Sequence, residues 1–391
     1  MNRLSIYVLA LGVFLTATSE LVVSGILNMI AKDLAISIAL AGQLVTVYSL
    51  AFAIGTPILV SLTSRLKRRK VLVGSLVVFI LGCLLSSSSS DITVLMISRV
   101  VLGVSAGVYL VVAFGAVSKI VPAEKLGSAI GTIILGFSSA MILGVPIGIA
   151  ITNWLNWQAI FLILGLLSLL VTCIIYRLLP EIEGGEPVPF RQQFKVLGSV
   201  VIVSGLLLTF FRESGNSILF TYLTTFIKDI LHMEASNISM IMLVLGIFGT
   251  IGSRLGGYGV DRWGASTIIT YSIIVHVAVL ALLPLFKDSI GIELLLIALM
   301  VLVMFVSGPA IQTYFIQQAP GSSELVLSLN TSIVHLGLAA GAGVGGVMVS
   351  ATSTVLYNPW LASLIVALGL AAAIVSFSMR RKRVVELQNQ G

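Results

Sequence analysis

The chain has 391 residues, of which 58% are hydrophobic and only 9% are charged. A soluble domain carries about 25% charged residues, so this composition excludes a soluble globular protein and predicts one that crosses a membrane many times. The 22 Lys and Arg residues exceed the 15 Asp and Glu residues and lie mostly between apolar runs, which indicates membrane topology instead of nucleic-acid binding.

Apolar runs separated by short polar or Gly/Pro-rich segments predict twelve membrane-spanning helices. The first six runs are 5–27, 38–63, 71–89, 93–117, 126–151 and 157–179, and the last six are 196–220, 236–258, 267–286, 291–316, 323–350 and 357–379. The segment 180–195 (PEIEGGEPVPFRQQFK) is rich in Pro, Gly and charge and is predicted to be a cytoplasmic linker. It separates an N-terminal six-helix half, 1–179, from a C-terminal half, 196–391, that ends in a short basic tail.

The first run, Leu4–Leu27, contains one side chain that is ordinarily charged at neutral pH, Glu20. A charged group near the centre of a membrane helix costs roughly 2.5 to 3.5 kcal/mol on insertion scales, so Glu20 is the first candidate for a functional residue. The alternative is a neutral acid capped by the hydroxyl of Thr18 or Ser19 and without a function. The length of this run and its acid also argue against a cleaved signal peptide.

The positions of Lys and Arg predict that both termini are cytoplasmic. On one side of the membrane lie 17 of them, and the other side has only Lys32, Lys228 and Lys287. The remaining two, Arg99 and Arg212, fall within spans. We therefore expect a multipass protein of the cell (plasma or inner) membrane.

The two halves share features at a common offset of 197 residues. The matched pairs are Gly144 and Gly341, Gly148 and Gly345, and Arg65 and Arg262. Because this offset is about half of the chain, the matches predict a duplicated six-helix unit and therefore two pseudo-symmetric halves.

The segment GGYGVDRWG, residues 256–264, lies between the eighth and ninth spans. It resembles the loop motif GxLxDRxGRR of the major facilitator superfamily. The residues at the family positions are Gly257, Asp261, Arg262 and Gly264. The resemblance implies a charge-relay role at the cytoplasmic gate.

The segment VSLTSRLKRRKVLV, residues 60–73, is the first copy of this motif. It keeps all three arginines of the motif, as Arg65, Arg68 and Arg69. It departs at three positions, with Val60 and Lys67 where Gly is expected and Ser64 where Asp is expected. These departures weaken the expected gate role for the first loop, and the alternative is a cationic topology anchor.

The fourth span contains SRVVLGVSAG, with Arg99, Gly103 and Gly107. This segment is similar to the RxxxG motif of the same superfamily, in which the Arg is implicated in proton coupling. The resemblance therefore implies a role for Arg99 in the movement of protons.

The fifth span contains GFSSAMILGVPIG, which resembles the glycine-and-proline motif of twelve-span drug:proton antiporters. Its matching residues are Gly144, Pro146 and Gly148, while Ile149 and Ala150 stand where a fuller motif has two glycines. The pattern of the whole chain is most similar to the branch that includes purine and arabinose efflux proteins. Close helix approach or bending is the role we favour for these glycines.

Helix rise places Glu20 and Arg99 at the same level, about 21 Å above the cytoplasmic edge of the bilayer, and Arg212 and Glu213 at roughly 22 to 26 Å. We therefore predict a cluster of ionisable groups above the midplane, between the two halves. Adjacent residues point about 100° apart, so Arg212 and Glu213 are not expected simply to neutralise each other. The alternative is that the helix unwinds at Ser214–Asn216 and leaves both at the outer rim.

In this prediction Glu20 binds and releases the proton, and Arg99 modulates the proton affinity of Glu20. Burial disfavours an ionised carboxylate and a nearby cation favours it, so a changing contact with Arg99 allows proton exchange near neutral pH. Protonation of Glu20 from outside would displace substrate outward, and its deprotonation toward the cytoplasm would let the next substrate bind. Glu213, beside Arg212, is the second candidate.

A substrate cavity between the halves is predicted to be lined by polar or aromatic residues within spans. These residues are Tyr109, Asn216, Tyr222, Gln312, Asn330 and His335. For each of them the alternative is a hydrogen bond that packs two helices together. His335 is also a candidate titrating group.

These features together predict an all-α membrane protein with the major facilitator fold. Its expected function is proton-coupled export of small organic molecules, namely a nucleobase or nucleoside, a sugar or a drug, by alternating access. The proton gradient is the expected energy source, with no cofactor, and the single chain is expected to work as a monomer in the lipid bilayer without nucleic acid.

Uptake symport or facilitated diffusion by the same fold is the main alternative. A membrane-embedded enzyme or receptor is a further one. An enzyme is disfavoured because His232, His276 and His335 are far apart, and because the sequence has no HExxH motif and no nucleotide-binding loop. Cys83 and Cys173 lie in separate apolar runs, which supports neither a disulfide framework nor a metal cluster.

Overall fold

The computed structural model describes residues 3–36, 38–184, 194–233 and 235–388. These residues form helices, turns and short connections, and no strand occurs among them. The prediction of an all-α protein is therefore confirmed.

The helices of the N-terminal part follow one another with short connections. They are α1 (Arg3–Asp33), α2 (Ile38–Leu62), α3 (Arg68–Ser87), α4 (Ile92–Ile120), α5 (Leu126–Ser139), α6 (Val145–Trp154) and α7 (Trp157–Leu178). Polar caps fix two of the boundaries. The carboxylate of Asp91 accepts hydrogen bonds from the amides of Thr93 and Val94 at 2.8 and 3.0 Å, and the side chain of Asn156 accepts one from the amide of Ala159 at 2.8 Å.

The helices of the C-terminal part repeat this arrangement. They are α8 (Val200–Phe220), α9 (Leu223–Asp229), α10 (Ala235–Trp263), α11 (Ala265–Leu282), α12 (Ile290–Gln318), α13 (Ser323–Thr352) and α14 (Asn358–Gln388). Gly264 separates α10 from α11 with a φ of 82°, a conformation in which a side chain would be strained.

The described chain contains 11 helical segments that are long and apolar enough to cross a membrane. The predicted span 196–220 is a helix of 21 residues, α8, but it is not among the 11. The polar and glycine residues from Arg212 to Ser217 explain this, because they lower the mean hydropathy of α8. Many large apolar side chains on the other helices are exposed, Leu166 and Tyr176 among them, as expected for surfaces that face lipid.

The chain divides into two compact units. The first comprises residues 1–190 with the short stretch 327–332, and the second comprises 191–326 with 333–391. The halves 1–179 and 196–391, with a linker between them, stay the prediction for the domain boundaries.

Candidate functional site

Arg99 of α4 is fully buried inside the first unit, where side chains and backbone from three other helices surround it. Its Nη2 donates a hydrogen bond of 3.0 Å to the carbonyl of Ser19 on α1. The guanidinium carbon lies 4.7 Å from the ring centroid of Tyr48 on α2 and 5.8 Å from that of Phe161 on α7. Its Nε and Nη1 have no hydrogen-bond partner among the described residues, so aromatic faces and one carbonyl surround most of this cation.

The glycines of the RxxxG segment bring α2 close to α4. A Cβ at Gly103 would lie 2.5 Å from the carbonyl oxygen of Tyr48, and a Cβ at Gly107 would overlap the hydroxyl of Thr56. Residues four apart lie on the same face of a helix, so Arg99 shares this face with both glycines. The spacing of the motif therefore places Arg99 on the face of α4 that packs closely against α2.

Glu20 follows Ser19 on α1 and is partly exposed. The hydroxyls of Thr18 and Ser19 donate to carbonyls of the preceding turn of α1, at 2.7 and 3.0 Å, so neither of them caps the Glu20 carboxylate. The capping that the alternative expects is therefore absent from the structure, and the function of Glu20 stays a prediction. Arg99 interacts electrostatically with Glu20, but the ion pairs among the described residues do not include these two.

The fifth predicted span is not a regular α-helix. Residues Ala140–Gly144 form one π-helical turn between α5 and α6, and it ends two residues before Pro146. Proline has no amide hydrogen to donate within a helix, and π-helical turns accommodate such interruptions. The resemblance to an exporter motif thus coincides with a local irregularity of the helix.

Two glycines of this motif lie against α1 on either side of Glu20 along the sequence. A Cβ at Gly144 would overlap the side chain of Thr18, and a Cβ at Gly148 would overlap that of Val22. Close approach, the role predicted for these glycines, is therefore what the structure shows. The contacts hold α1 in place two residues before and two residues after Glu20.

Arg212 of α8 is also buried, at 5% exposure, but its environment is polar. Its Nε donates 2.8 Å to the hydroxyl of Ser307, its Nη2 donates 2.5 Å to the carbonyl of Met304, and its Nη1 forms an ion pair with Glu213. The second oxygen of Glu213 accepts a hydrogen bond of 3.1 Å from Asn216. Every guanidinium nitrogen of Arg212 therefore has a partner within the second unit.

Two expectations for this region are wrong. The sequence predicts that Arg212 and Glu213 do not pair, because their Cβ directions diverge, but the long arginine side chain reaches back to its neighbour. The alternative of a helix unwound at Ser214–Asn216 fails as well, because α8 is continuous through these residues. Gly215 packs tightly there, since a Cβ on it would lie 2.9 Å from the carbonyl oxygen of Ala362.

Three of the predicted cavity residues take part in helix packing or in the Arg212 network. The hydroxyl of Tyr109 donates 3.2 Å to the carbonyl of Leu9, and that of Tyr222 donates 3.0 Å to the carbonyl of Ala342. Asn216 binds Glu213, as described above. These contacts match the packing alternative for the two tyrosines.

The other three cavity residues have interactions of their own. Asn330 is fully buried, whereas Gln312 and His335 are partly exposed. The shared cavity, and the shared cluster of Glu20, Arg99, Arg212 and Glu213, stay predictions. The structure brings Glu20 together with Arg99 in the first unit and Arg212 together with Glu213 in the second.

The first loop, between α2 and α3, binds the start of the predicted linker. Lys67 forms an ion pair with Glu181 and lies 3.7 Å from a carboxylate oxygen of Glu183, and Arg69 donates 2.7 Å to Glu181. The hydrogen bond between Lys67 and Glu181 raises the pKa of the lysine and lowers the pKa of the glutamate. This loop therefore obtains from the linker the carboxylate that its own sequence lacks at Ser64.

Backbone contacts reinforce this attachment. The amide of Arg68, a buried residue, donates 2.9 Å to the carbonyl of Ile182, which is itself buried. The backbone of Gly184 passes so close to exposed Arg65 that a Cβ would lie 2.5 Å from its carbonyl oxygen. The first loop is thus more than an isolated cationic anchor.

In the second loop, the motif arginine interacts with aromatic neighbours of its own segment. Arg262 is exposed, donates 3.0 Å to the hydroxyl of Tyr258, and lies 5.5 Å from the ring centroid of Trp263. Asp261 is partly exposed and has an interaction of its own. Its gate role stays a prediction.

Sequence reasoning missed Tyr48 and Phe161, the two rings that face Arg99. Both lie inside apolar runs, where an aromatic residue is ordinary, so no local signal marks them. Ser307 and the buried His276, which interacts electrostatically with Arg212, were missed for the same reason. Only the packing of helices that are distant in sequence reveals these neighbours.

The sequence pattern of the Major Facilitator Superfamily matches residues 9–342 of the chain. The chain belongs to the major facilitator superfamily. Among curated relatives of this superfamily member, the uncharacterized MFS-type transporter YbcL of Bacillus subtilis is 35% identical over 390 residues, which cover 100% of both chains. The inner membrane transport protein YdhP of Escherichia coli K12 is 27% identical over 374 residues, covering 96% of this chain and 95% of YdhP.

Solved structures of other superfamily members share the fold. The proton:xylose symporter XylE has a TM-score of 0.78 at 17% identity, with 96% of this chain and 95% of XylE covered. The human organic anion transporter MFSD10 has a TM-score of 0.78 at 15% identity, with 95% and 99% covered. The major facilitator fold and a membrane transport function are thus shown for this chain.

Proposed function

We propose that this transporter is a proton-coupled exporter of small organic molecules, of the twelve-span drug:proton antiporter kind and closest to the purine and arabinose efflux branch. It exchanges protons for a nucleobase or nucleoside, a sugar or a drug by alternating access. The observation that carries this proposal is the environment of Arg99. A buried guanidinium with two unused nitrogens lies near Glu20, and the two are not joined in an ion pair.

The unused nitrogens of Arg99 give Glu20 two states. An ionised carboxylate gains charge-assisted hydrogen bonds by moving to the guanidinium, whereas a protonated carboxyl group gains little from it. Glu20 is partly exposed as a residue, and the proposal requires that protons reach its carboxyl group. Uptake and release of one proton at Glu20 thus changes which contact α1 makes with α4.

The packing of α1 against the fifth span turns this local change into a movement of the helix. Gly144 and Gly148 pack against the side chains of Thr18 and Val22, which lie two residues to either side of Glu20, and the π-helical turn lies in the same stretch. A change of contact at Glu20 therefore acts on α1 close to the point where α1 packs against the fifth span. In the proposed cycle, protonation from outside displaces substrate outward, and deprotonation toward the cytoplasm prepares the next binding event.

The direction of export is proposed from the fifth-span motif of Gly144, Pro146 and Gly148. The proton gradient is the proposed energy source, without a cofactor. The chain is proposed to act as a monomer in the cell membrane, with both termini in the cytoplasm. Arg212 and Glu213 are proposed to stabilise the second unit, with Glu213 as the second candidate for the proton carrier.

The test is transport by the purified protein in liposomes. Compounds are first selected by the growth of an overexpressing strain on toxic purine analogues, sugars and cationic drugs. Each selected compound is then added to liposomes that contain a pH indicator. We expect proton movement opposite to the compound in the wild type and in the control Glu124→Gln, which changes an exposed acid of the same unit, and none in Glu20→Gln.

Proton movement in the same direction as the compound would show a symporter, and the export proposal would be wrong. Wild-type transport by Glu20→Gln with an unchanged pH dependence would remove Glu20 from the mechanism. Compound movement without any proton movement would indicate a facilitator.

A further inference from the structure

Two groups attract the charge of Arg99. One is the ring of Tyr48, with its centroid 4.7 Å from the guanidinium carbon, and the other is Glu20 on α1. Tyr48 is 1% exposed and Arg99 is fully buried, so water weakens neither partner. A desolvated cation over an aromatic face is the arrangement in which this attraction is strongest.

The ring of Tyr48 is fixed in place by its backbone. The close approach of Gly103 to the Tyr48 carbonyl holds this turn of α2 against α4. The ring also lies 6.2 Å from the ring of Phe52, one turn further along α2. Tyr48 therefore cannot easily follow Arg99 when the guanidinium moves toward α1.

The other helices around Arg99 bring no further carboxylate. The titratable groups that interact with the Arg99 charge are Glu20 on α1, Tyr48 on α2 and the buried thiol of Cys83 on α3. The described helices α5 and α6 carry no ionisable residue. Phe161 lies near the start of α7, whereas the ionisable residues of α7 lie near its C-terminal end. Among the described residues, Glu20 is thus the one carboxylate that interacts with the charge of Arg99 and can compete with the ring.

We propose that Tyr48 is a positioning residue for proton coupling, whose ring holds the Arg99 guanidinium away from Glu20 and thereby sets the pH at which Glu20 exchanges its proton. This inference rests on the proposed function, in which Glu20 is the proton carrier. Phe161, at 5.8 Å from the guanidinium carbon, assists from the opposite helix with a weaker contact.

The sign of the expected effect follows from the competition. Without the ring, Arg99 is free to approach the Glu20 carboxylate, and this favours the ionised form. In Tyr48→Leu, the pH at which half of Glu20 is protonated should therefore fall by about one unit, a tenfold change that one buried cation–π contact can supply. Tyr48→Phe keeps the ring and should retain the wild-type midpoint.

The experiment is an infrared pH titration of the purified protein in lipid nanodiscs, which needs no substrate. The carboxyl band of protonated Glu20 is identified as the band that is lost in Glu20→Gln and kept in the control Glu124→Gln. Its midpoint is then compared among the wild type, Tyr48→Phe and Tyr48→Leu. Phe161→Leu is the second variant, with a smaller shift in the same direction, and it decides the outcome should Tyr48→Leu fail to fold.

Equal midpoints in the wild type and the leucine variants would overturn the role of Tyr48 and leave the proton carrier in place. An equal shift in Tyr48→Phe and Tyr48→Leu would also overturn it, since the hydroxyl and not the ring would then matter. Absence of any Glu20 band that titrates in the wild type would contradict the proposed function itself, and the role of Tyr48 with it.

Discussion

Each of the two units buries an arginine within the membrane region, and the two differ in how their nitrogens are satisfied. Arg212 has three partners, one of which is the carboxylate of Glu213. Arg99 has one hydrogen bond, two aromatic neighbours and two nitrogens without a hydrogen-bond partner among the described residues. A saturated buried network is rigid, because any movement leaves a charge without a partner. An unsaturated cation can gain a partner when its surroundings change, so the first unit is the better candidate for a proton-driven switch.

The largest effect on stability is expected from Arg212→Met. The substitution leaves Glu213 largely buried without its cation, which should lower the free energy of unfolding by about 3 kcal/mol. Arg99→Met, the matched change in the first unit, breaks no ion pair and should cost less than about 1 kcal/mol, because hydrophobic replacement of a poorly paired buried charge is often neutral. Thermal unfolding in detergent, followed by size-exclusion chromatography, measures both.

Equal destabilisation by the two methionine variants would remove the difference between the units. The same outcome would mean that aromatic faces satisfy Arg99 as fully as an ion pair satisfies Arg212.

A smaller effect is expected from Gly103→Ala. The new Cβ would lie 2.5 Å from the carbonyl oxygen of Tyr48, so α2 must move away from α4. Overpacking of this kind costs about 1 to 3 kcal/mol. Gly74→Ala on α3 is the control, since nothing lies within 4 Å of the added Cβ, and it should stabilise the helix by roughly 0.5 kcal/mol. The same unfolding assay distinguishes them, and a neutral Gly103→Ala would show that the close approach is not required.

The smallest effect concerns the contact between the first loop and the linker. Glu181→Gln replaces the carboxylate, whose hydrogen bond and negative charge raise the pKa of Lys67, by a neutral amide, so labelling of Lys67 by an amine-reactive reagent should become faster, as measured by mass spectrometry. Lys125, outside this contact, is the internal control. Unchanged labelling of Lys67 would mean that the contact does not persist in solution.

The pH dependence of this contact follows from the same two groups. The pKa of Glu181 is lowered from its ordinary 4.5, so the ion pair is present above that value and is lost only as the pH falls through the lowered pKa. At the alkaline end it is lost as the pH rises through the raised pKa of Lys67. The distance between two spin labels, one on the first loop and one on the linker, should therefore stay constant around neutral pH and increase in acid.

Much of the architecture is predictable from the sequence. The apolar runs predict the all-helical membrane fold because a bilayer requires long apolar helices, and the loop and RxxxG segments indicate the superfamily. The glycine spacing of the fifth span predicts a close approach that the structure shows against α1. These features depend on local composition or on motifs within one helix.

The environment of each charge was less predictable. Depth arithmetic places Arg212 and Glu213 at one level but does not give the reach of an arginine side chain, so their ion pair was missed. Tyr48 and Glu181 were missed because each contacts its partner across a long stretch of sequence. What a charged residue contacts depends on the packing of distant helices, which composition and spacing do not give.

Proton-driven transport by Glu20→Gln and Glu213→Gln, side by side in liposomes over a series of pH values, decides which unit carries the switch. We predict that Glu20→Gln moves compound without protons and loses the pH dependence, while Glu213→Gln keeps both proton movement and pH dependence but unfolds at a lower temperature. Proton coupling that survives in Glu20→Gln and disappears in Glu213→Gln would contradict this assignment and place the switch in the second unit.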